Sequence, residues 1–379
     1  MTVQRVAEIE DRWSQDQLVA GAGLSSWLRI LSDNQWRVDA AYLHRAAWIT
    51  GLAAPTSAIG AVERAMWGKR VAEYQVDPTP IFLLGHWRSG TTHLHNLFGR
   101  DPAHTYSTVY QAVFPEIFLS TGKLGPKLLK NALTETRTYD AVKQGWHEAA
   151  EDEIALMKLT GGLSFYTALL FPDRAQEYER YIDFHGATDE ERQRFKDALL
   201  LFIKKIMLAT GGKRVVVKSC AHSARIPMLL ELFPNARFVH VHRHPARVFA
   251  SMMHMRAKVD WENFMHRPTV DFIADRREHT ALIGERLFSR LVQDRAIIPP
   301  ENLVEIGYDE LCGHELDVIG GIYKRFGMDW DSYEPVLADY LKGVGEYKVN
   351  KLNIDDELLD FVRDRWSIMY DTYGYGRTE

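Results

Sequence analysis

The sequence of 379 residues has only two cysteines, Cys220 and Cys312, and no apolar run that approaches the roughly 20 residues of a membrane-spanning helix. Two cysteines give neither a disulfide framework nor a cysteine-based metal site, and they fit a reducing compartment. The first residues, MTVQR, lack the apolar core of a signal peptide. These absences predict a cytoplasmic protein without a transmembrane segment.

The chain also lacks the excess of positive charge that a general nucleic-acid binder carries. Its formal net charge is −5 at pH 7. With 46% hydrophobic and 26% charged residues, the composition is that of an ordinary globular protein. No repeat or low-complexity linker interrupts it. We therefore expect one large domain or two modest ones, and no nucleic-acid partner.

A third absence is that of the Walker A lysine. The stretch 80–97, PIFLLGHWRSGTTHLHNL, has the pattern of a strand, a loop and a helix. Backbone N–H groups of such a loop and the N-terminus of the helix cradle phosphates. Gly85 and Gly90 have the spacing of a Walker A loop, but Thr91 stands where the lysine belongs. Arg88 is the only strong cation of the loop. The pattern predicts nucleotide phosphate binding without ordinary ATP or GTP hydrolysis.

The order of elements predicts an α/β fold. Residues 1–78 show helical periodicity and no convincing strand, so we expect a helical extension packed on the core; a cap over a substrate pocket and a homo-oligomer contact are alternatives. Residues 79–379 are predicted to form one domain with a P-loop-NTPase-like parallel sheet flanked by helices. The predicted strands are 79–85, 214–219, 236–242 and 303–306, and the predicted helices are 91–99, 151–159, 189–209, 224–233, 272–291, 309–326 and 355–373.

A second anion site is predicted where Arg243 ends a strand and Ser251 follows eight residues later. Ligands of open α/β sheets bind beyond the carboxyl ends of the strands, and the loop lies at such an end as well. Two separated anion sites suit a nucleoside with phosphates at both ends. The neighbouring His240, His242 and His244 share one face of the strand. No carboxylate or cysteine completes a zinc ligand set, so we favour core packing and predict no metal.

These motifs resemble those of sulfotransferases. Residues 80–102 look like the 5′-phosphosulfate loop, whose core is [RK]SGTT, and residues 237–251 resemble the 3′-phosphate motif of that family. The stretches 151–156 and 218–222 are similar to segments of a bacterial sulfotransferase group, and the resemblance extends over residues 79–375. Relatives commonly have proline at the positions of Trp87 and Cys220. The donor of the family is 3′-phosphoadenosine 5′-phosphosulfate (PAPS), which carries phosphates at both predicted sites.

The resemblance implies transfer of a sulfonate group from PAPS to an acceptor hydroxyl, with an amine as the less favoured acceptor, and without a metal ion. The aromatic-rich segments 103–150 and 161–171 favour a small or lipophilic acceptor. Arg243 and Ser251 would hold the 3′-phosphate, and Tyr347 and Lys348 would close over the nucleotide unless their loop is simply solvated. Lys218 would contact the 5′-phosphate or the sulfonate, or pair with a carboxylate. The loop would hold the 5′-phosphosulfate through Arg88, Ser89, Gly90, Thr91 and Thr92, with Arg88 also at the transferring group.

Four residues are candidates for the general base: Glu151, Glu153, His147 and His222. Residues two apart on a helix point about 200° apart, so only one of the two glutamates can face the site. We favour Glu151 slightly, while both carboxylates could instead stabilise the N-terminus of the helix. His147 could share the face of Glu151. The histidine at 222 has a side chain suited to acid–base work, or is a buried structural residue.

Two other functions are compatible with the motifs of the sequence. A P-loop kinase-like phosphotransferase would use ATP and Mg²⁺, but Thr91 at the lysine position counts against it. A non-catalytic nucleotide-binding protein would keep the fold without the chemistry. The presence of Arg88, Arg243 and Ser251 argues against that second alternative.

Overall fold

A computed structural model of the chain describes residues 17–133, 144–269, 272–343, 352 and 354–377. The strands are Ile81–Leu84 (β1), His104–Tyr106 (β2), Arg214–Lys218 (β3), Arg237–His242 (β4) and Leu303–Gly307 (β5). The α-helices are Leu24–Asp33 (α1), Leu43–Glu73 (α2), Thr91–Gly99 (α3), Val109–Val113 (α4), Phe118–Thr121 (α5), Gly125–Leu128 (α6), Glu153–Thr160 (α7), Ala175–Glu179 (α8), Asp189–Thr210 (α9), Ile226–Leu232 (α10), Pro245–Val259 (α11), Phe272–Asp294 (α12), Tyr308–Leu311 (α13), Glu315–Arg325 (α14), Trp330–Gly343 (α15), Asp356–Arg365 (α16) and Ser367–Tyr373 (α17).

The strands form one parallel sheet in the order β2-β3-β1-β4-β5. Strand β1 lies in the middle, with Ile81 opposite Val216 of β3 and Leu84 opposite His240 of β4. All carboxyl ends therefore meet at one edge, which confirms the predicted α/β class. Strand β2 was not predicted, because three residues at a sheet edge are too short to show an alternating pattern.

Both faces of β1 are buried, which explains its unbroken apolar sequence. Ile81 and Leu83 pack with residues of α3, α14 and α15 in one apolar core. Phe82 points to the opposite face, where its ring stacks on Phe238 at 5.7 Å between centroids and contacts Phe233. The loop that follows β1 thus begins from a fixed strand.

The chain divides into two compact units. The first contains Met1–Gln75, Ser107–Ala209 and His254–Arg276, and the second contains Val76–Tyr106, Thr210–Met253 and Arg277–Glu379. The sheet belongs to the second unit. The first has its own apolar core, which includes Trp27, Ile49 and Met157. The predicted domain boundary at residue 78 and the packing of residues 1–78 as an extension stay predictions.

The first unit buries several charged side chains of its helices. Arg45 of α2 donates from Nη1 to the carbonyls of Trp261 and Phe264 at 2.9 and 3.0 Å. Glu63 of the same helix forms a buried ion pair with Lys205 at 2.6 Å. Buried charges persist only when they are paired or hydrogen-bonded, so these contacts fix α2 in its orientation.

Two helices predicted as continuous are broken. The helix predicted at 309–326 ends at Leu311 and restarts at Glu315, because Gly313 between them adopts a left-handed φ of +85°. The helix predicted at 355–373 is interrupted at Trp366, whose buried indole donates to the carbonyl of Ala281 at 2.9 Å. Both breaks come from conformations that helical periodicity does not report.

Among the described residues, no helix is both long and apolar enough to cross a membrane. Helix α2, although 31 residues long, contains Arg45, Glu63 and several other charged side chains.

Gly284 of α12 allows the close approach of Trp366, and its replacement tests this packing. A Cβ atom at Gly284 would lie 2.2 Å from Cζ2 of the indole, whereas a Cβ at the exposed Gly321 of α14 would meet nothing within 4 Å. We expect Gly284→Ala to lower the free energy of unfolding by about 1–3 kcal/mol through overpacking. Gly321→Ala should raise it by about 0.5–1 kcal/mol through helix propensity. Denaturant unfolding measures both; equal effects would contradict the packing argument.

Candidate functional site

The loop between β1 and α3 is held in a conformation that requires its glycines. Gly85 and Gly90 have φ angles of +141° and +105°. A Cβ at Gly85 would lie 2.5 Å from the carbonyl oxygen of Val241, and one at Gly90 would lie 2.4 Å from Cδ2 of Tyr308. The N–H of Gly85 donates to the hydroxyl of Ser223 at 2.8 Å. The loop therefore lies directly against the ends of neighbouring strands.

The hydroxyl of Ser89 holds the loop to β4. It donates toward the carbonyls of His86 and Val241 at 2.8 and 3.1 Å, and the N–H of Ser89 also donates to His86. The side chain is buried. Its protein contacts thus serve the loop fold. The first N–H groups of α3, at Thr91 and Thr92, have no acceptor within the helix, and N–H groups in this position can bind an anion as a ligand.

Arg88 connects the two motifs that the sequence separates. It adopts a left-handed φ of +71°, which costs a non-glycine residue about 1–2 kcal/mol. Its Nε donates to the hydroxyl of Ser251 at 3.0 Å. Its carbonyl accepts from Nη1 of Arg243 at 3.4 Å. The guanidinium of Arg243 stacks on the ring of Tyr308, 4.2 Å from the centroid. The two predicted anion sites are neighbours in the second unit.

Lys218 adds a third cation at the same place. It is buried at the end of β3, and its Nζ donates to the hydroxyl of Thr92 at 3.4 Å. The hydroxyl of Thr91 lies 3.6 Å from the sulfur of Cys220. A lysine beside the N-terminus of α3 adds to the positive end of the helix dipole. Together with Arg88 and Arg243 it favours an anion at this position.

The candidate bases differ in their surroundings. Helix α7 begins at Glu153, which is buried and accepts a hydrogen bond from Ser164 at 2.7 Å. Glu151 precedes the helix, is half-buried and accepts from the hydroxyl of Tyr166 at 2.9 Å. The geometric argument that placed both glutamates on one helix was therefore wrong. His147 is exposed. All three belong to the first unit.

The other predicted site residues lie elsewhere. His222 is buried in the short turn Cys220–Ala224 of the second unit, and its ring meets the edge of Phe82 at 5.7 Å between centroids. Tyr347 and Lys348 lie outside the described residues. The contacts above bring together Arg88, Ser89, Gly90, Thr91, Thr92, Lys218, Arg243 and Ser251.

The three histidines of β4 and its end contact the C-terminal part of the chain. Nδ1 of His240 lies 3.1 Å from the hydroxyl of Tyr373, His242 binds the hydroxyl of Tyr375 at 2.6 Å, and His244 binds the carbonyl of Gly376 at 3.2 Å. Burial lowers the pKa of His242 to about 4, and the electrostatic effect of the neighbouring His240 acts in the same direction. No group of three or more His, Cys, Asp or Glu residues suited to a metal ion occurs in the described part of the chain.

Sequence reasoning missed Tyr308, Ser223 and the packing of His86. Tyr308 directly follows β5, so the same strand-end rule could have identified it. His86 lies between Phe288 and Trp366, with ring centroids 5.2 and 5.1 Å away. Burial lowers the pKa of His86 to about 4, although the hydrogen bond to the carbonyl of Trp87 raises this pKa in part. Its ring is neutral near pH 7 and supports the loop.

Comparison with known proteins gives consistent relatives. A family model described as "Sulfotransferase family" matches residues 80–332. The chain is 31% identical over 369 residues to the omega-hydroxy-beta-dihydromenaquinone-9 sulfotransferase Stf3 of Mycobacterium bovis, covering 97% of this chain and 94% of that protein. The protein of the same name from Mycobacterium tuberculosis has the same identity and coverage.

Two solved structures have a similar fold. Sulfotransferase STF1 from Mycobacterium tuberculosis H37Rv aligns with a TM-score of 0.61 at 17% identity, over 90% of this chain and 91% of that one. Sulfotransferase STF9 from Mycobacterium avium aligns with a TM-score of 0.66 at 17% identity, over 85% and 83%. At this identity the two structures show the fold alone.

Replacement of Gly90 tests whether the loop conformation makes the anion site. We expect Gly90→Ala to weaken binding of adenosine 3′,5′-bisphosphate at least about tenfold. The new methyl group would clash with Tyr308, and relief of the clash would move both the loop and the ring on which Arg243 stacks. Gly313→Ala is the control, since φ there is +85° but nothing lies within 4 Å of its Cβ. It should cost stability without changing affinity. Calorimetry measures the affinities, and equal losses in both variants would contradict the prediction.

Proposed function

The chain belongs to the sulfotransferase family, and from this premise we propose which residues hold the donor, which carry out the transfer, and what kind of acceptor is used. The protein is a sulfotransferase, and PAPS as its sulfonate donor follows from the family. The reaction forms a bond between the acceptor oxygen and sulfur, and breaks the bond between sulfur and the 5′-phosphate oxygen. Adenosine 3′,5′-bisphosphate leaves.

One observation carries the proposal for the donor site. Arg88 of the loop contacts both Ser251, at 3.0 Å, and Arg243, at 3.4 Å. A ligand with two phosphate groups is needed to use both motifs, and the donor has them. We propose that Arg243 and Ser251 bind the 3′-phosphate and that the N–H groups and hydroxyls of Thr91 and Thr92 bind the 5′-phosphate. Stacking on Tyr308 holds the planar guanidinium ready for such an anion.

Arg88 and Lys218 are proposed to act on the transferring group. Negative charge develops on the leaving phosphate oxygen as the bond to sulfur breaks, as it does in phosphoryl transfer. Fixed cations near that oxygen lower the barrier because they need no reorganisation during the reaction. Lys218 is buried and already oriented by Thr92, which suits this role. We propose that these side chains supply the positive charge that a metal ion supplies in kinases. Tyr347 and Lys348 remain proposed as a lid over the nucleotide.

The proposed general base is Glu151. Glu153 is fully buried and bound to Ser164, so its carboxylate serves the start of α7. Glu151 is half-buried, and its carboxylate accepts a hydrogen bond from the hydroxyl of Tyr166. The ring of Tyr166 packs on Phe165 at 4.3 Å between centroids, so an apolar wall adjoins the carboxylate. A positioned carboxylate next to apolar surface can take the proton of an acceptor hydroxyl.

The proposed acceptor is a hydroxyl group on a small, partly apolar molecule. Tyr110, Phe114 and Trp146 of the first unit pack against one another. Such an aromatic cluster suits contact with an apolar acceptor. The relative Stf3 is named for an omega-hydroxy-beta-dihydromenaquinone-9, which is a lipophilic hydroxyl compound. We also propose a cytoplasmic location, from the sparse cysteines of the sequence, and no nucleic-acid partner.

The donor site can be tested by comparing nucleotides and one pair of arginine variants. Wild-type protein should bind adenosine 3′,5′-bisphosphate more tightly than ATP. Arg243→Ala should weaken bisphosphate binding about 10- to 100-fold, because a charge-assisted hydrogen bond contributes about 1.5–3 kcal/mol. Arg325→Ala removes an exposed arginine that binds the carbonyl of Pro300, and should leave the affinity unchanged. Calorimetry without a preference for the bisphosphate over ATP would refute the donor assignment and favour a kinase.

The base can be tested through the pH dependence of turnover. Glu151→Gln should lower kcat about 10²- to 10⁴-fold and remove the acidic side of its pH profile, while donor affinity stays unchanged. Tyr166→Phe should move that side of the profile, because it removes the hydrogen bond to the carboxylate. Glu148→Gln, three positions earlier, is the control. If Glu151→Gln keeps its turnover and His147→Gln or His222→Gln loses it, the base is a histidine.

A further inference from the structure

Helix α2 buries two charged side chains and exposes several apolar ones. Arg45 and Glu63 are buried and bound to carbonyl groups and to Lys205. Residues 46–62 between them, AAWITGLAAPTSAIGAV, contain no charged side chain. A helix on the surface of a globular protein normally has the opposite arrangement, with its charged face in water.

The outer face of α2 is formed by Ile59, Val62 and Met66, which follow one another at spacings of three and four and so lie on one stripe. Val62 is 57% exposed and Met66 is 63% exposed. Small uncharged residues extend the stripe toward the N-terminus, and these are Ala47, Gly51, Ala54, Pro55 and Ala58, all exposed. A continuous exposed apolar surface of this kind marks an interaction site in a soluble domain.

Exposed basic side chains lie at one end of this face, where Lys69 is 3.9 Å from the carboxylate of Glu73. Lys69 and Arg70 are exposed at its C-terminal end. A second segment, residues 123–130, has sequence KLGPKLLK; its three lysines are exposed, and it contains no acidic residue. Leu124 and Leu128 of this segment are 66% and 80% exposed. Large apolar side chains and lysines therefore alternate at the surface of residues 123–130.

The two segments are neighbours in the first unit. The N–H of Ser120 donates to Oε2 of Glu63 at 2.8 Å, in the middle of the stretch that carries the outer face. Lys123 follows only three residues later, so its backbone lies at most about 11 Å from that of Ser120. The segment with the lysines thus packs beside the helix that carries the apolar stripe.

We propose that the outer face of α2, together with residues 123–130, binds the surface of an anionic lipid bilayer. Apolar side chains that enter the boundary of the acyl chains, with lysines at the level of anionic headgroups, are the features of a helix that lies on a membrane. Among the described residues no helix is suited to span the bilayer, which agrees with surface binding. A second copy of the chain would bring the same cations to the contact, whereas anionic lipid neutralises them.

Membrane binding would hold the enzyme where lipophilic hydroxyl compounds partition. The surface itself is independent of the donor site, because all its residues belong to the first unit and none is assigned to donor binding or transfer. Its test can therefore fail while the sulfotransferase assignment stands, and the reverse is also true.

Vesicle flotation with the full chain tests the proposal. Wild-type protein should float with phosphatidylcholine vesicles that contain about a third phosphatidylglycerol, and bind pure phosphatidylcholine far more weakly. Val62→Glu and Met66→Glu should each reduce the partition coefficient at least about tenfold, because a carboxylate replaces an inserted apolar group. The three variants Lys123→Gln, Lys127→Gln and Lys130→Gln should each reduce the partition coefficient about fivefold at low salt. At high salt, which screens the lipid charge, each variant should differ little from the wild type.

The matched control is Ile297→Glu, at an apolar residue of the second unit that is 54% exposed. It should float like the wild type. Thermal unfolding and calorimetric binding of adenosine 3′,5′-bisphosphate should be unchanged in all these variants, which shows that each one is folded. The proposal is overturned if the wild type does not float with anionic vesicles, or if Ile297→Glu loses binding as Val62→Glu does. A stable dimer in solution that Val62→Glu dissociates would assign the face to a second copy.

Discussion

The proposed donor site depends on the parallel pairing of β1 with β4. Leu84, the last residue of β1, lies opposite His240, so β4 continues for two residues beyond it and Arg243 emerges beside the loop. The loop then folds back over the end of β4, where Ser89 binds the carbonyl of Val241. Arg88 and Arg243, which are 155 residues apart in the sequence, meet only through this pairing. The sheet thus provides the orientation of the cations before any ligand arrives, and lowers the ordering cost of binding.

The cations that are buried in the first unit differ from those of the proposed donor site in their partners. Lys158 is buried, donates to the carbonyls of Ala112 and Val113, and burial holds its pKa well below the usual range. Arg45 and Lys205 are also satisfied inside the first unit. Such groups specify how the helices pack, because removal of either partner leaves an unpaired polar atom. Arg88 and Arg243 instead stay half-buried at a strand end, where a diffusing anion can reach them.

The sequence was sufficient for the features that depend on local patterns. The apolar run of Val215, Val216 and Val217 predicted β3, and the spacing of Gly85 and Gly90 predicted the loop. Contacts between distant residues could not be predicted in this way. Trp366 breaks a helix because its indole lies against Gly284, and no periodicity records that contact. Likewise, Glu151 and Glu153 look equivalent in the sequence, and only Tyr166 and Ser164, their partners in the fold, distinguish them.

The contacts of the β4 histidines have a consequence for the order of events during protein synthesis. His242 and its partner Tyr375 are separated by 133 residues. At about 5–20 residues per second, the ribosome needs roughly 7–27 s to add the intervening chain. During that interval the strand end that carries Arg243 exists without the residues that cover His242 and His244. The surroundings of Arg243 are therefore completed only after Tyr375 and Gly376 have been added to the chain.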